Sequence, residues 1–291
     1  MPDLLHAMRR RPLVLDGGLG TLLEERGNDL TGSLWSASLL RDDPDEVREA
    51  HAEFVQAGAD VVITASYQLA YGHGIDDDDV EALLRRSVVV ARDAGARFVA
   101  ASVGPFGASR ADGSEYTGDY GLEVDELRAW HRRRLHVLAD SGADVLAIET
   151  IPSRVEAEAL TAELDAIGVP AWISFSASSP ALAGDSLREA LAAAASAAGV
   201  LAVGANCCSP DLAGRAIASA PDGLPTVVYP NSGERWDAAS RRWHGPRGLP
   251  TADVGEWLSS GARLVGGCCR TTPAHIAAVA AVVAGFAPAQ S

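Results

Sequence analysis

Lysine is absent from the 291 residues, so all 24 basic residues are arginine. Any mechanism that needs a Schiff-base lysine is thereby excluded. No run approaches the ~20 uninterrupted apolar residues of a membrane span. The opening "MPDLLHAMRRRPLVLDGG" lacks the apolar core of ~7–15 residues that marks a secretory signal. The chain is therefore expected in the cytoplasm, where stable disulfides are uncommon. Positive charge is scarce: 39 acidic residues outnumber the basic ones, for a net charge of −15. That balance argues against nucleic acid or an anionic membrane as a main partner. Cysteine is rarer still, at four residues, and the four stand in two adjacent pairs, Cys207-Cys208 and Cys268-Cys269.

What is abundant is a repeated phrase. "AGADVVITASY" (57–67), "AGARFVAAS" (94–102), "SGADVLAIET" (141–150) and "SGARLVGGCC" (260–269) each run from a small residue through glycine into an apolar stretch. The glycines Gly58, Gly95, Gly142 and Gly261 suit the left-handed position that ends a helix. The apolar stretches suit strands buried on both faces, as in a parallel sheet. Amphipathic segments precede them; in "PDEVREAHAEFVQAG", Val47, Phe54 and Val55 share a face and Pro44 opens the helix. Eight such strands are expected, at 12–18, 60–67, 97–104, 144–150, 171–177, 200–208, 226–232 and 263–269. Eight alternating units in a chain of this length predict a (β/α)8 TIM barrel, one domain over residues 1–291. A doubly wound open sheet is the structural alternative.

Active sites of such barrels lie at the C-terminal strand ends. Read in order, those ends carry Asp16-Gly17-Gly18, Ser66-Tyr67, Ser102, Glu149-Thr150, Ser176, Asn206-Cys207, Asn231-Ser232 and Cys268-Cys269. Two long, aromatic-bearing connections follow strands, at 104–123 and 231–250. Loops of that length in a compact domain point to function.

Cys207 and the Cys268-Cys269 pair end strands six and eight on one rim. Three converging thiolates with an open fourth position match a catalytic zinc site. Buried packing and redox chemistry are the alternatives, and a disulfide within either adjacent pair would be strained. Spacing alone leaves open which of the four is not a ligand. Cys207 and Cys208 should point in different directions, while the glycines of "GGCC" permit a bend that aims both following cysteines inward. Zinc with three thiolates carries net charge −1, so it is a poor activator of water. It can still take a fourth thiolate and leave that sulfur nucleophilic. The chemistry suited to such a site is alkylation of a thiol.

With "LDGG", "GANC" and "GGCC", the chain resembles the homocysteine S-methyltransferase family over essentially its whole length. The resemblance implies a zinc-dependent (β/α)8 enzyme that methylates homocysteine to methionine. It implies Cys207, Cys268 and Cys269 as Zn2+ ligands, with Cys208 an extra neighbour. It places Asp16, Gly17, Gly18 and Glu149, with Asn206 beside them, at the amino-acid end of homocysteine. Carboxylates pair with an ammonium, and glycine N–H groups receive a carboxylate. "LWSASLL" (34–40), "TASYQLA" (64–70), "DGSEYTGDYG" (112–121) and "YPNSGERWD" (229–237) resemble the S-methylmethionine-using branch more than the betaine-using one. Ala65 stands where many relatives carry asparagine. A sulfonium donor suits an aromatic face; Trp35 and Tyr67 are the first candidates, with Ser66 and Asn231 near them and Tyr116, Tyr120 and Trp236 behind. Both partners are then small molecules, homocysteine and a methyl donor.

Other conspicuous residues read more plainly. Asp76–Asp79 precede a helical stretch and are expected to cap it or face solvent. His131 and His136 fall in an amphipathic helix, and His275 belongs to the last one. S-adenosylmethionine, betaine or a selenol acceptor are alternatives within the same chemistry. A non-catalytic zinc-binding barrel is the alternative outside it.

Overall fold

The structure, a computed structural model, describes residues 4–30, 36–72, 75–110, 112–178, 182, 186–237, 242–245, 248–249 and 251–286. Its strands are β1 (Leu13–Val14), β2 (Val61–Ile63), β3 (Phe98–Val103), β4 (Val145–Ile151), β5 (Ala171–Phe175), β6 (Val200–Asn206), β7 (Thr226–Tyr229), β8 (Arg235–Asp237), β9 (Arg242–His244) and β10 (Ala262–Val265). Its helices are α1 (Leu4–Arg10), α2 (Leu19–Glu25), α3 (Ser36–Asp42), α4 (Pro44–Gln56), α5 (Asp77–Asp93), α6 (Val124–Ala139), α7 (Arg154–Ile167), α8 (Ser186–Ala195), α9 (Pro210–Ser219), α10 (Thr251–Ser259) and α11 (Pro273–Gly285). All strands but β8 and β9 form one parallel sheet, with neighbours in the order β1-β10-β7-β6-β5-β4-β3-β2. The two ends of that order meet. Leu15 bridges Val61 in parallel, and the Asp60 N–H donates to the Val14 carbonyl at 2.8 Å. The open-sheet alternative is thereby excluded, and the eight expected strands close into a (β/α)8 barrel.

Alternation along each strand builds two cores. Leu13, Leu15, Val61, Ala147, Trp172 and Leu264 belong to the inner one, together with Leu4, Ala7 and Met8 of α1, which close the N-terminal end of the barrel. Val14, Val62, Leu146, Ile148, Val203 and Val265 face the helices in the outer one. Helix α4 shows how the sequence sets the outer layer. Pro44 opens it, Asp43 accepts the Glu46 N–H, and Val47 and Phe54 are fully buried while Val55 is half-buried. The four glycines of the repeated phrase do adopt the left-handed conformation, with φ of 101° (Gly58), 87° (Gly95), 85° (Gly142) and 108° (Gly261).

Most strands end earlier than the apolar runs. Strand β7 stops at Tyr229 because Pro230 has no N–H to donate; its carbonyl instead accepts the Cys268 N–H at 2.8 Å. The described residues of the two long connections include short regular elements. Residues 104–123 carry 3-10 turns at Phe106–Arg110 and Ser114–Tyr116, and β8 and β9 form an antiparallel hairpin within 231–250. Asp76 caps α5 by accepting the Asp78 N–H, as the acidic run suggested. No helix among the described residues is long and apolar enough to cross a membrane.

Candidate metal and thiol site

The three rim cysteines converge. Their Sγ atoms all lie within 4.8 Å of one another, with 3.7 Å between Cys207 and Cys269 and 4.0 Å between Cys268 and Cys269. Tetrahedral zinc with ~2.3 Å bonds to sulfur needs sulfurs ~3.8 Å apart, so the donor type suits that ion and the two Cys269 distances lie near that spacing. Backbone geometry brings it about. Cys207 sits at φ 48°, a left-handed conformation that costs a residue with a Cβ on the order of 1 kcal/mol and so marks a functional corner. Cys268 and Cys269 follow Gly267, whose absent Cβ would otherwise lie 2.5 Å from the Thr271 Oγ1. The Cys269 N–H is held by the Asn231 Oδ1 at 3.0 Å.

Cys208 turns the other way. It is 2% exposed and packs among the outer-layer apolar residues. Burial pushes its thiol pKa up, with the negative Cys207 adding to the effect. The spacing ambiguity is resolved by this packing: Cys208 is core.

Electrostatics in the trio favour a cation. Hydrogen bonds from Cys268 first, then Cys269, draw the Cys207 pKa well below its usual value, against the cost of burial. The same contacts raise Cys268 and Cys269. One thiolate is stabilised at the expense of the next, and three can coexist only around positive charge.

The cysteines share a cavity of about 300 Å³ with Asp16, Gly17, Gly18, Tyr67, Glu149 and Asn206. Asp16 is 1% exposed; its Oδ2 accepts the Ile63 N–H at 2.9 Å, and burial, reinforced by the charge of Glu149, raises its pKa well above the ordinary carboxylate range. Glu149 titrates at about 7, chiefly through burial, while hydrogen bonds from Ser102 and Tyr229 oppose that rise. Tyr229 is itself braced by the Trp172 Nε1–H at 3.1 Å and by Ser174 at 2.7 Å.

Not every expected residue meets the cavity as the sequence suggested. The Gly18 N–H is donated to the carbonyl and Oγ1 of Thr271, both at 3.0 Å. Gly18 serves instead by lacking a Cβ, which would stand 2.6 Å from the Cys268 carbonyl oxygen. Asn206 has both ends of its amide engaged, with Thr150 and Ser174. Ser66 is fully buried and donates to the Ser102 carbonyl at 2.8 Å, so it stands behind the wall, whereas Asn231 is half-buried and its side chain bonds to the Cys269 N–H and the Cys207 thiol. Trp35 and the side chain of Trp236 lie outside the described residues. Tyr120 packs on Phe106, ring centroids 5.1 Å apart. Tyr116 does line the cavity, its hydroxyl 3.5 Å from the Cys207 Sγ. His131 is structural, bonded to Glu156 at 2.9 Å and to Arg134 at 2.8 Å. Sequence reasoning overlooked Glu115, Tyr229 and Thr271. The first two lie inside stretches singled out for other residues, and only the fold brings them to the cysteines.

A (β/α)8 barrel whose C-terminal mouth gathers three thiols and three buried carboxylates in one cavity defines a class of barrel that could hold a metal through thiolates. Comparison with known proteins narrows it. The homocysteine S-methyltransferase family model matches residues 13–283. Homocysteine S-methyltransferase 4 of Zea mays is 45% identical over 93% of this chain and 89% of its own length. Homocysteine S-methyltransferase of Escherichia coli is 44% identical over 92% of this chain and 94% of its own. The crystal structure of the E. coli homocysteine methyltransferase MmuM in its metallated form superposes with a TM-score of 0.83 at 40% identity, covering 95% of this chain and 99% of that one. The chain belongs to the homocysteine S-methyltransferase family.

Proposed function

We propose that the protein transfers a methyl group from a sulfonium donor, S-methylmethionine foremost, to the thiol of L-homocysteine, giving methionine. The observation that carries this reading is the convergence of the Cys207, Cys268 and Cys269 Sγ atoms within 4.8 Å at the wall of a cavity that also holds Asp16 and Glu149. Those three cysteines would hold zinc, in a barrel that acts as one homocysteine-binding unit over residues 1–291. Zinc with three thiolates supplies stabilisation of a further thiolate at neutral pH without quenching its nucleophilicity.

The rest falls to the chain's own residues. Asp16 and Glu149 take the α-ammonium of homocysteine; its charge favours their ionised forms, which burial otherwise opposes. Gly17 and Gly18 line the cavity, and by lacking a Cβ they let the end of β1 pack against Phe54, Thr271 and the Cys268 carbonyl. Tyr67 and Tyr116 line the donor side, where an aromatic face suits a sulfonium, and Trp35 is the further candidate from the sequence. The homocysteine sulfur attacks the methyl carbon in line. The new S–C bond forms as the donor C–S bond breaks, and that electron pair stays on the donor sulfur, which leaves as a neutral thioether. The thiol proton goes to solvent, so no side chain need act as general base. Positioning carries most of the catalysis. With S-methylmethionine, both products are methionine.

The test is methionine formation from L-homocysteine by zinc-replete protein, with S-methylmethionine, S-adenosylmethionine and betaine offered separately. Cys268→Ala and zinc-stripped protein serve as controls. Turnover with a sulfonium, lost in both controls, is expected; no turnover with any donor by folded, zinc-loaded protein would overturn the reading.

A further inference from the structure

The cavity holds a third buried carboxylate that this mechanism leaves unused. Asp16 and Glu149 stand at strand ends and act on one another electrostatically. Glu115 arrives separately, on the Ser114–Tyr116 turn of the β3–α6 connection, and lines the same cavity at 6% exposure. Its Oε2 is shut off from solvent and has no hydrogen-bond partner. A buried carboxylate oxygen without a partner is costly, and such a group persists where a ligand completes it. The turn is also built to bring it there. A Cβ on Gly107 would lie 2.3 Å from the Glu115 backbone nitrogen, so only glycine lets the two turns pack this closely. The next residue, Tyr116, reaches Cys207, and the Glu115 charge is felt by both Tyr67 and Tyr120. Glu115 therefore sits on the aromatic side of the cavity. Among the described residues the one arginine in the lining, Arg270, is paired with Glu234 at 2.8 Å.

Resting on the methyl-transfer reading above, the count of charges decides what completes Glu115. Both substrates are amino acids, and each brings an α-ammonium. The strand-end carboxylates serve homocysteine, which leaves the ammonium of the donor. The donor's sulfonium is the wrong partner for a carboxylate. Its charge disappears as the methyl moves, so a counter-charge there would favour the ground state over the transition state. The ammonium charge is unchanged throughout, and pairing with it costs no rate. We propose that Glu115 receives the α-ammonium of the methyl donor and makes the site selective for amino-acid sulfoniums over donors without an ammonium.

Steady-state kinetics at saturating homocysteine test this, with S-methyl-L-methionine and with 3-(dimethylsulfonio)propanoate, a sulfonium carboxylate that has no ammonium. Glu115→Gln is expected to raise KM for S-methyl-L-methionine about 10- to 100-fold with kcat within about threefold, and to shift KM for the ammonium-free donor less than about threefold. Glu115→Asp, which keeps the charge and shortens its reach, is expected to fall between. An equal change for both donors, or none for S-methyl-L-methionine, would overturn the proposal. So would a loss of zinc or of homocysteine affinity in Glu115→Gln, which would make Glu115 a structural brace. Calorimetric binding of the same two sulfoniums separates this outcome from failure of the methyl-transfer reading. If the wild type turns over neither donor, that reading falls. A selective loss of binding of the ammonium-bearing sulfonium in Glu115→Gln would still uphold the Glu115 assignment, and a parallel or absent loss would reject it.

Discussion

Asn206 grips Thr150 from both ends. Its Oδ1 accepts the Thr150 N–H at 2.7 Å and its Nδ2 donates to the Thr150 Oγ1 at 2.8 Å, tying the tip of β6 to the tip of β4. Thr150 needs the grip, because it is β-branched and stands at φ 60°. Its neighbours on the two strands are Glu149 and Cys207, so one amide sets the separation between a carboxylate and a thiol of the site.

Asn206→Ala leaves the Thr150 N–H and the Ser174 hydroxyl without that acceptor. A loss of about 2 kcal/mol in stability is expected from the buried groups left unpaired, with a fall in kcat/KM of about 100-fold as the corner relaxes. Urea unfolding and steady-state kinetics measure the two. An active variant of wild-type stability would show that Thr150 holds its conformation unaided.

The four cysteines divide three to one. Cys207→Ala, Cys268→Ala and Cys269→Ala are each expected to abolish stoichiometric zinc, while Cys208→Ala retains one zinc per chain and loses about 1 kcal/mol of packing. Metal analysis after dialysis distinguishes them. X-ray absorption should show three sulfurs in the resting shell and a fourth on adding homocysteine; four from the outset, unchanged by homocysteine, would make the site structural.

Glu149 makes stability depend on pH. Its folded value of about 7 exceeds its ordinary 4.5 because burial disfavours the charge. Between those values the folded chain keeps a proton that the unfolded chain has lost, so stability falls as pH rises through the window, and the deficit persists above it. Metal-free Glu149→Gln cannot ionise and is expected to exceed the wild type by about 1–3 kcal/mol at pH 8. The gain should close as pH falls toward 4.5. Denaturant unfolding across that range reads it, and a gain that does not change with pH would refute the assignment.

Glu163 works in the opposite sense. Arg132, at 2.9 Å, and then Arg128 hold its carboxyl down at about 2, against an ordinary 4.5. Its contribution is whole above pH 4.5 and is lost as pH falls toward 2. The arginines are partly exposed, so solvent screens the pairs and about 1 kcal/mol is the expected size. Glu163→Gln should be less stable than the wild type at pH 7 and equal to it near pH 2. A deficit that survives at pH 2 would point to packing instead.

Much of this protein was legible in its residues because the information is local. A glycine in the left-handed conformation ends a helix, an apolar run enters a buried parallel sheet, and eight such units close a barrel. The strand-end rule then carries Asp16, Glu149, Cys207, Cys268 and Cys269 to one rim without any coordinates. Tertiary structure decided what depends on direction. Adjacent Cys207 and Cys208 are equivalent in spacing, and only the φ of 48° at Cys207 sends one thiol to the cavity and the other to the core. Asn206 and Gly18 carry groups suited to a substrate, but Thr150, Ser174 and Thr271 already occupy those groups. Glu115 and Tyr229 lie 34 and 80 residues from Glu149 in sequence and meet it at one cavity. Hydrogen-bond partners and cavity walls are set by non-local packing, and no short-range pattern in the chain encodes them.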